Sequence, residues 1–235
     1  MKAATRDIYI ADEIRYGIET GEYKPHDKIP SERKLCDFFH AQRTTIRLAL
    51  KILLDEGWVY CKDRSGYFVA EPRIIETLDV VSSMSGRIET LGKEMHRKIL
   101  YLREIESNKK LLKKMNVPIG TKLYEFERIR YLENEAISLE TAYFESQQFP
   151  GLLEKDLENN SLFSILEKDY GIKFTQGEQE ILIVYANKNE SIYLGVSEYS
   201  PLVLRRGLLY TQDGNYKSFH ESVMKMNRFI YADEG

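Results

Sequence analysis

Cysteine is nearly missing from this chain: Cys36 and Cys61 are the only two in 235 residues. That is too few, and too isolated, for a disulfide framework, so both are read as buried or incidental thiols. The four histidines, His26, His40, His96 and His220, are scattered and show no metal-ligand spacing. No apolar run approaches the length needed to cross a bilayer, and Met1 to Asp7 lacks the apolar centre of a secretory signal, so a cytoplasmic protein with no membrane partner is expected. Ser/His and Cys/His arrangements are missing, as is a phosphate-cradling glycine loop. Neither catalytic residues nor a metal nor a cofactor is therefore expected.

An excess of either charge is also lacking, with a formal net charge of -3. The average conceals a division. Residues 24 to 70 hold nine Lys and Arg against six Asp and Glu, whereas residues 71 to 235 hold 22 against 26. A small basic module attached to an acidic body fits this pattern, and the 43% hydrophobic content is ample for two modest cores.

The most informative stretch runs from Pro30 to Leu54. Its periodicity predicts two short amphipathic helices around a tight break, the first with Leu35, Phe38 and Phe39 on one face, the second with Ile46, Ala49, Leu50 and Leu53 on one face. Arg43, Arg47 and Lys51, at i, i+4 and i+8, then share the opposite side of the second helix with Thr44 beside them. A solvated helix face would look the same. So would the recognition helix of a helix-turn-helix, its back in a core and its cations in a DNA groove. Ser31 is a good N-cap for the first helix and sets Arg33 in its opening turn, where a phosphate can be met. Trp58 to Tyr60 and Tyr67 to Val69 read as strands joined by a polar turn with Lys62 and Arg64, a winged hairpin with a basic tip. Ile10, Ile14 and Ile18, four apart, predict a preceding helix that Gly21 is placed to end.

These residues resemble the winged-helix domain of GntR-family transcription regulators, through Pro30-Ser31-Glu32-Arg33, Arg43-Thr44-Thr45-Ile46-Arg47, Ala49-Leu50, Glu56-Gly57 and Ser65-Gly66-Tyr67-Phe68-Val69. The likeness covers nearly all of residues 8 to 70. It implies DNA contacts from Ser31, Arg33, Arg43, Thr44, Thr45 and Arg47, with Lys51, Arg64 and Gly66 adding phosphate or wing contacts. Three positions depart from the family: Gln42 stands where a capping serine is usual, and His26 and Arg64 replace common glycines.

After Glu71 the pattern loosens, and a linker is expected over residues 71–79 between domains at 1–70 and 80–235. Ser82 to Gly86 is small and polar, either plain connection or a loop whose hydroxyls and N–H groups bind an anion. Strands are predicted at Ile99–Leu102, Leu123–Tyr131, Ala136–Phe144, Glu180–Tyr185, Leu202–Tyr210 and Phe219–Tyr231, with helices at Asn108–Met115 and Leu162–Tyr170. Long strands joined by turns, with few helices, indicate an antiparallel sheet backed by helices, so the whole chain is α+β. Tyr124, Phe126, Arg128 and Arg130 share one face of their strand. Two arginines spaced by two can clamp a phosphate or carboxylate, or simply face water. Glu140, in an apolar strand, is either their partner or an acceptor for a ligand hydroxyl.

This half resembles the chorismate-lyase-like UTRA effector-binding domain of the HutC subfamily, through Arg128-Ile129-Arg130, Glu140, Phe149-Pro150-Gly151-Leu152, Ser161-Leu162-Phe163, Leu194-Gly195-Val196, Pro201-Leu202, Asp213-Gly214 and Glu221-Ser222. The resemblance implies a pocket in which Arg128 and Arg130, helped by Ser161, hold an anionic group, commonly the phosphate of a sugar phosphate. Glu140 and Glu221 would accept from sugar hydroxyls. Of the two readings of Ser82 to Gly86, the anion-binding one makes Ser83 and Ser85 contacts of the effector. Phe163 stands where phosphate-binding members often have tyrosine. The whole reading is a homodimeric repressor that binds an operator, an inverted repeat of double-stranded DNA, under control of a small anionic metabolite. The rivals are an enzyme of chorismate-lyase-like fold with a DNA-binding head and a sequence-nonspecific DNA-binding protein.

Overall fold

The computed structural model describes residues 5–77 and 94–232. It divides into two compact units, Met1–Arg73 and Ile74–Gly235.

The first unit holds three helices, α1 (Arg6–Glu19), α2 (Glu32–Phe39) and α3 (Arg43–Asp55), followed by the antiparallel hairpin of β1 (Val59–Lys62) and β2 (Gly66–Val69). Ile46, Ala49, Leu50 and Leu53 of α3 are fully buried against Ile10 and Ile14 of α1, Leu35 of α2, and Val59 and Val69 of the hairpin. Phe38 differs from expectation. Leu35, Cys36 and Phe39 take the inner face of the eight-residue α2, and Phe38 is left 76% exposed, edge-on to Phe39.

The second unit is built on a six-stranded antiparallel sheet in the order β4-β5-β6-β9-β8-β7, from β4 (Met95–Glu106), β5 (Lys122–Leu132), β6 (Glu135–Glu145), β7 (Gln176–Tyr185), β8 (Pro201–Tyr210) and β9 (Lys217–Lys225). Among the described residues three helices flank it: α4 (Lys109–Met115), α5 (Leu162–Tyr170) and α6 (Lys188–Leu194). Because strand side chains alternate, the sheet has two separate cores. On one face Tyr124, Phe126, Ala142, Phe144 and Leu209 pack under Leu162, Ile165 and Leu166 of α5. On the other, Leu111 and Met115 of α4 cover Leu123, Tyr143 and Phe219, while Leu194 of α6 covers Ile129, Leu139 and Leu202.

Three features of the second unit depart from the sequence reading. The expected single strand from Phe219 to Tyr231 is broken by a 3-10 turn, Met226–Arg228, in which the buried Arg228 meets Glu135 at 3.0 Å. The chain then leaves the large sheet as β10 (Phe229–Ala232) and pairs in parallel with β3 (Ile74–Thr77). Residues 74 to 77, expected within the linker, are therefore a strand, fixed by Ile74 packing with Val203, Met224 and Phe229. The short helix α6 was also unforeseen; Asn187 and Glu190 close a reciprocal capping box at its start.

Candidate DNA-binding face and effector cavity

In the first unit the sequence places a cationic helix with its back in a core, and the side chains bear this out in geometry. Arg43, Thr44, Arg47 and Lys51 are exposed on α3, with Thr45 partly covered. Ser31 caps α2, accepting from the Lys34 N–H at 3.4 Å, and Arg33 is exposed in that helix's first turn. Gln42 makes no side-chain cap bond to α3, as its chemistry predicts. The unforeseen residue is Glu32. Its carboxylate receives Arg43 Nε at 2.5 Å and Arg47 Nε at 3.0 Å, so one acid aligns two guanidiniums that α3 alone would leave free to rotate. The hydrogen bond from Arg43, with help from Arg47, outweighs the cost of burial and holds Glu32 below the ordinary carboxylate range.

At the wing, Arg64 is exposed at the hairpin tip with φ 57°, and Gly66 follows at φ 100°. His26 has φ 69°. Both residues that replace a common glycine of the family thus occupy left-handed backbone, the conformation for which glycine is the unstrained choice. Lys62 Nζ lies over the Phe68 ring, 4.9 Å from its centroid, so the hairpin's second cation is held along the strand by an aromatic face.

In the second unit, β5 and β6 bring Arg128, Arg130 and Glu140 together. The arginines are buried, each only 5% exposed, and do not face water. Arg128 Nε donates to Glu140 Oε2 at 2.8 Å and Arg130 Nε donates to Glu140 Oε1. Of the two roles open to Glu140, the structure shows the ion-pair partner. Burial opposes its ionisation, but the charges of Arg130 and then Arg128 overcome this and bring its pKa down to about 2. Burial, reinforced by Arg130, lowers Arg128 to about 10, which still leaves it cationic at neutral pH.

These residues line a cavity of about 110 Å³ with Phe126, Phe163, Arg205, His220 and Ser222 among the others. His220 Nε2 lies 2.6 Å from Ser218 Oγ, and the ring packs on Phe163 and Phe144. Burial, with Arg128 and Arg205 adding to it, pushes its pKa down to about 3, so it presents a neutral imidazole.

The register corrects one assignment. Glu221 borders the cavity, yet it stands opposite Thr141 and Arg206, one position out of step with the Glu140, Ser222, Arg205 row. Its carboxylate lies on the α4 side of the sheet, bonded to Lys114 and 3.6 Å from Lys110. A one-residue difference reverses the face of a strand residue, and His220 and Ser222 take the inward places. Ser161 sits at the N-cap of α5 without a side-chain cap bond and does not line the cavity, whereas its neighbours Leu162 and Phe163 do. Ser83 and Ser85 lie outside the described residues. Arg205, His220 and Ser222 were not assigned to the site from sequence, although Ser222 belongs to the Glu221-Ser222 motif and Arg205 is a cation inside an apolar strand.

Two donors on the cavity side remain unused. Arg128 Nη1 and Ser222 Oγ are buried and have no hydrogen-bond partner among the described residues. A buried donor without an acceptor is costly, and both would be satisfied by the oxygens of a bound anion. No group of three or more His, Cys, Asp or Glu among the described residues is arranged to hold a metal ion. No helix among them is long and apolar enough to cross a membrane.

Known proteins share both units. Residues 9–69 match the family profile described as bacterial regulatory proteins, gntR family, and residues 90–230 match the UTRA domain. The chain is 28% identical to the uncharacterized HTH-type transcriptional regulator YurK of Bacillus subtilis over 79% of this chain and 75% of YurK. It is 23% identical to the HTH-type transcriptional repressor NagR of Bacillus subtilis, covering 95% of this chain and 91% of NagR. It is 26% identical to the mannosyl-D-glycerate transport/metabolism system repressor MngR of Escherichia coli, covering 95% of this chain and 92% of MngR. Among solved structures, PhnF from Mycobacterium smegmatis superimposes with a TM-score of 0.70 at 25% identity, over 96% of this chain and 98% of PhnF.

Proposed function

Since the chain belongs to the gntR family of bacterial regulatory proteins, carries a UTRA domain and is a DNA-binding transcription regulator, we propose that it is a repressor whose hold on its operator is set by a small anionic metabolite, foremost a phosphorylated sugar, bound in the cavity beside Arg128. The observation that carries this reading is the pair of unspent donors: Arg128 and Ser222 line the cavity, Arg128 Nη1 and Ser222 Oγ are buried without a partner among the described residues, and the Glu140 carboxylate that also lines it is already committed to two arginines. Relatives named as repressors, among them NagR and MngR, support the direction of control. The chorismate-lyase-like enzyme considered from sequence gives way to this, because the family is one of regulators.

The DNA-facing residues of this reading are Ser31, Arg33, Arg43, Thr44, Thr45 and Arg47, with Lys51, Arg64 and Gly66 at the flanks. A homodimer with two such heads would read an inverted repeat, since protein two-fold symmetry and operator symmetry go together. The cytoplasm is the compartment in which such a regulator meets DNA. A ligand can move this equilibrium only by binding the DNA-competent and DNA-incompetent arrangements unequally.

Thermal unfolding of the full chain against phosphorylated sugars, the parent neutral sugars and sugar acids tests the ligand class. A ligand present at a hundred times its Kd stabilises the native state by roughly 2.7 kcal/mol, and that stabilisation should require the phosphate and vanish in Arg128→Gln. Equal stabilisation by the neutral sugars would remove the anion from the account.

A further inference from the structure

Across the central strands the register pairs Arg128 with Glu140, Glu140 with Ser222, and Ser222 with Arg205. Strand alternation turns all four side chains to the face on which the cavity lies. Arg205 lines that cavity, and its guanidinium is oriented from two sides. Its Nε donates to Gln179 Oε1 at 2.7 Å and its Nη1 donates to Glu76 Oε2 at 3.0 Å. Glu76 is fully buried and sits on β3. That strand starts at Ile74, the residue after Arg73, where the first unit ends.

A guanidinium that fronts an anion cavity while holding a buried carboxylate is shared between two negative charges. Burial strengthens both attractions, so they compete. We infer that Arg205 is a third cationic contact for the effector anion and that Glu76 is its competing counter-ion, so that an anion entering the cavity competes with Glu76 for Arg205 and loosens β3, the strand by which the chain enters the second unit from the DNA-binding unit. This rests on the cavity being the effector site. Linkage makes the competition reciprocal: whatever factor the anion takes from the Glu76–Arg205 pair, the pair takes from anion affinity. Neutralising Glu76 therefore strengthens anion binding, an effect opposite in sign to that of a merely structural defect.

The test is a calorimetric titration of inorganic phosphate into the full chain, wild type, Glu76→Gln, Arg205→Gln and Arg205→Lys, each with and without a saturating operator duplex taken from a random-duplex selection. Arg205→Gln is expected to weaken phosphate binding by roughly tenfold, the weight of one charge-assisted hydrogen bond. Arg205→Lys, which keeps the charge, is expected to restore part of that loss. Glu76→Gln is expected to bind phosphate several times more tightly, and in both glutamine variants the effect of operator on phosphate affinity shrinks. Unchanged phosphate affinity in Arg205→Gln, or weakened affinity in Glu76→Gln, overturns the inference while the effector reading stands. A wild type that binds neither phosphate nor any phosphorylated sugar overturns both.

Discussion

Arg47→Ala is expected to weaken operator binding by roughly 1 to 3 kcal/mol and to relax the preference for one base pair, the effect of removing a side chain that reads a base edge. The expectation follows from how α3 is held. Its inner stripe is fully buried, so the helix cannot rotate to hide its cations, and Arg47 stays 61% exposed on the outer side. Glu32 keeps the Arg43 and Arg47 guanidiniums side by side before DNA arrives, which reduces the ordering that binding requires. Fluorescence anisotropy on the selected operator and on a shuffled duplex, over a range of salt, separates the alternatives. Loss confined to the operator marks base readout. A uniform loss, with the salt slope reduced by about one, marks a phosphate contact instead.

Glu140→Gln is expected to destabilise the second unit by about 3 to 5 kcal/mol at neutral pH, because it leaves two buried guanidiniums without their shared counter-charge. The pH dependence has a definite sign. The folded pKa of Glu140, about 2, lies below its ordinary 4.5, so its carboxylate stabilises the native state above the ordinary value and that contribution fades as pH falls toward 2. The gap between wild type and Glu140→Gln should therefore be widest from near-neutral pH upward and close in acid. His220 acts in the same direction in both proteins, since a buried neutral imidazole with a pKa of about 3 favours the folded state less as pH drops below 6.5. Denaturant unfolding of both proteins across that range checks this. Added phosphate should stabilise Glu140→Gln more than wild type, the anion standing in for the missing carboxylate.

The first unit was legible because its signals are local. The stripe of α3, the Ser31 cap and the wing strands each lie within a few residues, and the departures at His26 and Arg64 fall on left-handed backbone. Glu32 escaped because its partners lie eleven and fifteen positions away, set by the crossing of two helices that no periodicity encodes. In the second unit the strands and the shared face of Arg128 and Arg130 were readable, but the burial of that pair, and which neighbour faces inward with it, were not. At β9 the resemblance pointed to Glu221, while pairing turns His220 and Ser222 to the cavity and gives Glu221 to Lys114. The Arg205–Glu76 contact, 129 residues apart, depends on β10 leaving the large sheet to pair with β3. The capping box before α6 was written in Asn187 and Glu190 and could have been found.

Occupancy of the Arg128 cavity is expected to set DNA affinity. The most direct measurement of that dependence is operator affinity of the full chain across concentrations of the phosphorylated sugar that stabilises it best, in wild type and Arg128→Gln. Operator affinity should fall as the wild type fills with ligand and should stay constant in the variant. An operator affinity that is unmoved at ligand saturation in the wild type, or that falls equally in Arg128→Gln, would contradict the account.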